Sequence, residues 1–242
     1  MVYSLTFRRA AAALLLGAAL SLPAQAQRAG KNPPPPAGPQ RLQPLLGGIS
    51  PAQAQQVLGA AVLADVDASF ASRTEASEFF SRKGFEYLLE KQADTAVTRF
   101  NLAWALNPRN PNPYRGLAVV VSQRPGATPE AVQALLLQGL AVAPTTAPLL
   151  ADAATNTLDR YEQTNKKKDL TQANDYIQRA LLADSTSASA WQTQGRVRYF
   201  QEDYTAAWAA VHKGQNLSLT SLDFTFISEL IAKMPDPQGM FK

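Results

Sequence analysis

The feature that most limits the fold of this chain is a set of small and aromatic residues that recurs at fixed spacings. The first copy lies within 34 residues and consists of Phe80, Gly84, Tyr87, Ala96, Phe100, Ala103 and Pro108. A second copy contains Trp191, Gly195, Tyr204, Ala207 and Gly214. Since apolar residues between the copies recur every three or four positions, the chain is expected to consist of repeated helix pairs.

Each residue of the set suits two helices that cross closely. Gly84 leaves room for the second helix of the pair, and Ala96 and Ala103 keep the facing helix small at the crossing. The aromatic rings fill the surrounding space, and Pro108 ends the second helix. From Gly84 to Gly195 is 111 residues, so three periods of 34 leave nine extra residues between the copies.

These spacings resemble the tetratricopeptide repeat, a 34-residue helix-turn-helix unit with the pattern W-x2-L-G-x2-Y, then A-x3-F, then a closing Pro. Phe80 stands where Trp is usual, and Lys83 replaces Leu. The resemblance implies an all-α fold, a right-handed superhelical solenoid of about four helix pairs with an N-terminal extra helix and a C-terminal capping helix. Within a repeat domain of residues 73–242, the expected units are 77–110, 111–145, 146–187 and 188–220, with a capping helix at 221–234.

The N-terminus has the three parts of a secretory signal peptide. Arg8 and Arg9 precede 13 apolar residues, and Ala24-Gln25-Ala26 forms a small-x-small cleavage site. A membrane anchor is the alternative, but a span needs about 20 apolar residues. Residues 1–26 are therefore predicted to be removed from an exported, bacterial-type protein, periplasmic or extracellular, without a later membrane span.

Residues 27–48 are interpreted as a Pro-rich flexible linker, because six prolines within 28–44 favour extended polyproline II. A single N-terminal helix is expected at 49–72, with Ser50 as its cap and Pro51 in its first turn. At the other end, the tail after Pro235 is expected either to dock back or to stay loose.

Composition argues against most enzyme classes. The chain has no cysteine, one histidine (His212) and no phosphate-binding, nucleophile-elbow or zinc-protease pattern. No cofactor or metal is expected. Without residues 1–26, basic residues exceed acidic ones by 21 to 19, and the one basic cluster, Lys166-Lys167-Lys168, is too small to indicate nucleic-acid binding.

By resemblance, the first helices of the pairs line a groove that binds a protein or peptide. The groove candidates are Arg82, Phe85, Arg115, Glu162, Gln192, Arg196 and Tyr199. The three arginines could bind an acidic or C-terminal carboxylate, since guanidinium groups bind carboxylates bidentately. Alternatively, they are solvated or paired with Glu78 or Glu86.

Two other functions stay open beside the exported interaction scaffold. A small-ligand or glycan binder would need an aromatic-lined pocket, but Trp104, Trp191 and Trp208 are better interpreted as packing residues. A hydrolase would need converging acids, and the long helix expected from Ala147 to Thr164 offers Asp152, Asp159 and Glu162. His212 is expected to be at least half-exposed, with no evident acid partner.

Overall fold

A computed structural model describes residues 39–242 as an array of antiparallel helix pairs, with no strand among these residues. Residues 1–38, which include the predicted signal peptide and most of the proline segment, lie outside the described part. The helices are α1 (Pro51–Leu58), α2 (Ala60–Ser69), α3 (Arg73–Leu89), α4 (Ala93–Leu106), α5 (Asn112–Ser122), α6 (Pro129–Val142), α7 (Ala147–Thr164), α8 (Lys167–Ala183), α9 (Ala188–Phe200), α10 (Tyr204–Leu217) and α11 (Phe224–Lys233).

The helices pack in sequence order, so each pair buries its apolar stripe against its own partner and the next pair. The pairs are α3/α4, α5/α6, α7/α8 and α9/α10, and α11 packs on α10. The buried side chains include Phe80, Ala96, Phe100, Ala103, Leu117, Leu149, Ile177, Val197, Ala207 and Phe226. The predicted all-α repeat fold is confirmed.

The Phe100 ring joins the first two pairs. It is fully buried and lies against Gly84 on α3 and Gly116 on α5, at a distance that leaves no room for a Cβ atom on either glycine. The Phe85 ring meets it edge to face, with centroids 5.0 Å apart. Both helices can therefore approach the same ring only because they carry glycine at these positions.

The N-terminal region differs from the single helix expected at 49–72. Ser50 caps α1 and forms a capping box with Gln53, but α1 ends at Leu58 and a new helix begins at Ala60. Gly59 separates them with a φ of 84°. Helix α1 packs on α4, where Gln55 donates a hydrogen bond to the Ala105 carbonyl.

The assignment of all of residues 27–48 to a flexible linker was wrong at its C-terminal end. Pro39–Leu42 forms a short 3-10 helix, followed by a helical turn at Leu45–Gly48. The side chains of Leu45 and Leu46 are 5% and 4% exposed. We call residues 40–48 the strap, because this segment lies along α4.

The strap has an unusual backbone. Leu45 and Leu46 both have a φ of 52°, and Gly47 and Gly48 follow at 80° and 82°. A left-handed conformation costs about 1–3 kcal/mol for each non-glycine residue. Burial of a leucine side chain contributes about 1.5–3 kcal/mol, so strain largely offsets what the two leucines contribute.

The C-terminal tail docks back onto the last pair. The Asp236 carboxylate accepts hydrogen bonds from the backbone N–H groups of Gln238, Met240 and Phe241, and lies 3.0 Å from His212 Nε2. His212 is 4% exposed. The expectation that it is at least half-exposed and lacks an acid partner was therefore wrong. None of the described helices is long and apolar enough to cross a bilayer.

Candidate binding face

The first helices of successive pairs, α3, α5, α7 and α9, stand beside one another and continue into α11. Polar contacts join them in order: Arg115 on α5 reaches Asp152 on α7, and Thr155 on α7 lies 3.1 Å from Thr193 on α9. These contacts define a polar surface, here called the first-helix face. It is the surface on which the resemblance predicts partner binding.

Arg115 connects three consecutive pairs on this face. Its Nε atom donates to Asp152 Oδ2 at 2.7 Å, and its guanidinium lies over the Phe85 ring, 5.4 Å from the centroid. Both side chains of the ion pair are about one-third exposed. The partner of Arg115 is therefore Asp152 on the next first helix, not Glu78 or Glu86, which the sequence offered as alternatives.

Arg196 has the same bridging role nearer the C-terminus. It donates to Glu162 at 2.7 Å and to Asp223 at 3.2 Å, and lies over the Phe226 ring. Burial alone would lower the pKa of Arg196, but the carboxylates of Glu162, Asp223 and Glu229 raise it. Arg115 and Arg196 are therefore already neutralised within the array, rather than available to an incoming carboxylate.

Negative charge exceeds positive charge on this part of the face. Burial raises the pKa of Asp152, an effect that Arg115 opposes. Neighbouring residues remove part of the water around Asp159, and this loss and the nearby Glu162 charge raise the pKa of Asp159, an effect that Arg196 opposes. Asp159 is exposed and makes no ion pair with any other described residue.

The other groove candidates occupy different surroundings. Arg82 is exposed and has no ion-pair partner among residues 39–242. The half-buried Tyr199 ring packs on Phe226 of α11, with centroids 5.6 Å apart. Gln192 is buried instead of lining the groove, because its amide points to α10 and donates to the Val211 carbonyl.

The remaining repeat landmarks also have defined places. Gly195 is buried, Tyr87 and Pro108 are half-buried, and Trp191 is half-buried with its indole donating to the Ser185 carbonyl. Trp104 and Trp208 are buried and donate to Tyr114 and to the Met234 carbonyl.

Of the three acids proposed for a hydrolase, Asp159 and Glu162 lie near each other, but Asp152 does not join them. Asp152 and Glu162 are held by different arginines and, ten residues apart on α7, are separated by about 15 Å along the helix. An open depression of about 510 Å³ lies on the other side of α7, lined by Arg160, Lys168, Thr171, Gln172 and Asp175, without an aromatic residue. Within the described residues, no cluster of three metal-ligating side chains occurs.

Asp159→Asn is expected to stabilise the protein at pH 7 by less than about 1 kcal/mol, because solvent screens this exposed group. A raised pKa means that the folded state binds the proton more tightly than the unfolded chain does. The extra stability of Asp159→Asn over wild type should therefore decrease as the pH falls through the pKa of folded Asp159. Urea unfolding at pH 4 to 8 checks this, and a gain that does not depend on pH would contradict it.

Comparisons with known proteins support the fold. The crystal structure of TTC0263, a thermophilic TPR protein in Thermus thermophilus, matches with a TM-score of 0.52 and 17% identity, covering 67% of this chain and 94% of that chain. The crystal structure of the MamA protein gives a TM-score of 0.48 and 15% identity, covering 68% and 86%. No protein-family model and no curated protein matches the chain. The likeness to TTC0263 shows that the chain has the fold of a tetratricopeptide repeat protein.

Proposed function

We propose that this protein is an exported interaction scaffold whose first-helix face binds a basic segment of a partner protein. The sequence favours export, because residues 1–26 have the form of a signal peptide. Assembly of an envelope complex is the role that such a scaffold would serve. The fold itself does not identify a function, so the proposal depends on the chemistry of the face.

The observation that carries the proposal is an imbalance of charge. From α5 to α11, five carboxylates lie around the guanidinium groups of Arg115 and Arg196: Asp152, Asp159, Glu162, Asp223 and Glu229. The exposed Lys233, one helical turn after Glu229 on α11, offsets one of these charges, so negative charge still exceeds positive charge. The intramolecular pairs leave Asp159 without an ion-pair partner among the described residues, although the Arg196 charge acts on it. A lysine or arginine of a partner would form this ion pair, and charge complementarity of this kind sets specificity and association rate.

The same observation changes the expected partner. The sequence suggested that Arg82, Arg115 and Arg196 receive an acidic segment. Since Arg115 and Arg196 already have carboxylate partners, an acidic ligand would have to displace them and would meet the surplus carboxylates. Among the three arginines, only Arg82 could contact an acidic residue of the partner without breaking a described ion pair.

Asp159→Lys is expected to weaken binding of lysine- and arginine-rich peptides about tenfold or more, since it replaces attraction with repulsion. Fluorescence anisotropy with the chain from Gln27 onwards measures this, using basic peptides and charge-reversed versions of them. Asp175→Lys is the matched control, because Asp175 lies on the second helix α8 and is 62% exposed at its side chain.

Three outcomes separate the possible functions. Basic peptides that bind more weakly as salt rises and lose affinity only in Asp159→Lys support the proposal. Equal loss in both variants, or preference for acidic peptides, refutes the assigned partner chemistry. Binding of glycans but of no peptide would favour the alternative of a small-ligand binder. Detection of Gln27 as the N-terminus of secreted protein tests export separately.

A further inference from the structure

The strap is held through its backbone carbonyls, as proteins often hold a bound peptide. The buried Asn101 on α4 donates from its side-chain nitrogen to the carbonyl oxygens of Arg41 at 3.0 Å and Gln43 at 2.9 Å. Arg124, just after α5, donates to the intervening Leu42 carbonyl at 2.6 Å. Three consecutive backbone carbonyls are thus recognised by side chains from two adjacent repeats.

Two apolar side chains complete this binding mode. Leu45 and Leu46 enter the main hydrophobic core. Hydrogen bonds to backbone carbonyls do not depend on the side chains of the bound segment. The two leucines therefore supply the sequence specificity. We call the surface that receives the carbonyls and leucines the strap site. It lies on α4 and the α5–α6 turn, and it is separate from the first-helix face.

We propose that the strap site is a peptide-binding site that the chain's own residues 40–48 occupy, and that the same segment of a second copy can replace them. The ligand class is a short folded segment with adjacent leucines, which forms a 3-10 helix and a turn as residues 40–48 do here. The exchange would link two copies by their straps. This inference does not depend on the function proposed for the first-helix face.

Two glycines between the strap site and α1 permit the exchange. Gly47 and Gly48, with φ angles of 80° and 82°, and Ile49 separate Leu46 from Ser50, the cap of α1. A strap from a second copy keeps the Leu45 and Leu46 conformation that fills the site, but glycine adopts other φ angles readily, so the chain can continue to its own α1 elsewhere. Short hinges promote such swapping. The tethered strap retains the advantage of a high effective concentration, so wild type is expected to exchange weakly.

A labelled peptide of residues 39–50 tests the site in the full mature chain. A Leu45→Ser, Leu46→Ser double variant, whose strap is weakened, should bind the peptide at least about tenfold more tightly than wild type, because the tethered competitor is lost. Adding Asn101→Ala should reduce that affinity about tenfold, whereas adding Gln163→Ala on the exposed surface of α7 should not. Failure of the double variant to bind, with unchanged circular dichroism, would refute the proposal.

Thiol labelling supplies a second test that does not need the double variant. The chain has no cysteine, so single substitutions give reactions without background. Leu46→Cys should react about tenfold or more faster than Leu150→Cys, which replaces a residue in the centre of the array, because the strap opens without global unfolding. Equal rates at both positions would show that the strap leaves only when the array unfolds, and would overturn the proposal.

Discussion

Replacement of Gly116 by alanine is expected to lower the free energy of unfolding by about 3 kcal/mol or more. The new Cβ would overlap the Phe100 ring. The ring has little room to move, because α3 approaches it at Gly84 and the Phe85 ring packs against it. The overlap between the new Cβ and the Phe100 ring can therefore be removed only if α5 shifts away from the first pair. Urea unfolding followed by far-UV circular dichroism measures the change.

Gly195→Ala is the matched control, because Gly195 is buried in the corresponding first helix of the last pair. There the nearest atoms to a new Cβ lie 3.4 Å away, which is an ordinary contact. Since alanine favours a helix interior over glycine by about 0.5–1 kcal/mol, this variant should be unchanged or slightly more stable. Gly116→Ala is thus expected to lower the free energy of unfolding, whereas Gly195→Ala should not.

A double-mutant cycle tests the stated cause. In a Phe100→Leu background the steric conflict is reduced, so Gly116→Ala should cost at least about 1 kcal/mol less than in wild type. An equal cost in both backgrounds would mean that the Phe100 ring is not what excludes a side chain at position 116.

The fold could be predicted from the sequence because its determinants are local. Glycine, alanine, aromatic and proline positions recur within single 34-residue units, and each unit contacts mainly its neighbours. The same reasoning missed Gly116, because the second repeat departs from the 34-residue spacing. The contact of Gly116 with Phe100 crosses from one unit to the next, which a pattern within one unit does not reveal.

The candidate face was only partly predictable. Arg115 and Arg196 were found, but their partners Asp152 and Glu162 are 37 and 34 residues away. The second separation equals one repeat length, so pairing opposite charges one repeat apart would have suggested the Glu162–Arg196 bridge. Gln192 was placed in the groove wrongly, because helical periodicity alone does not show which face turns towards α10.

The strap was missed because proline composition dominated the interpretation of residues 27–48. The apolar pair Leu45-Leu46, followed by Gly47-Gly48, was a signal of a packed turn within that segment. In a flexible spacer, two adjacent leucines would be exposed to water, which is unfavourable for apolar side chains. Their left-handed backbone, by contrast, depends on the site on α4 and has no sequence signature.

Asp236→Ala is expected to lower the free energy of unfolding by about 2–4 kcal/mol at pH 7. The wild-type carboxylate accepts hydrogen bonds from three backbone N–H groups and contacts His212. Without it, these donors lose their acceptor, and the stack of Phe241 on Trp208, with centroids 5.9 Å apart, loses its support.

The pH dependence of this variant's stability tests whether the ionised Asp236 carboxylate is what stabilises the tail. Burial would raise the pKa of Asp236, but the N–H groups of Gln238, Phe241 and Met240, with His212, lower it below its ordinary value. A lowered carboxyl pKa contributes stability above the unfolded value, about 3.9, and this contribution is lost as the pH falls through the folded value. The difference in the free energy of unfolding between wild type and Asp236→Ala should therefore become smaller below about pH 4.

Two control variants distinguish the carboxylate from the tail as a whole. Asp236→Asn keeps one oxygen acceptor without the charge and should lose less stability than the alanine variant. Asp203→Ala, which removes an N-terminal cap of α10, should cost about 1 kcal/mol. If Asp236→Ala costs no more than this cap and shows no narrowing at low pH, the docked tail does not stabilise the last pair, and α11 alone covers the end of the array.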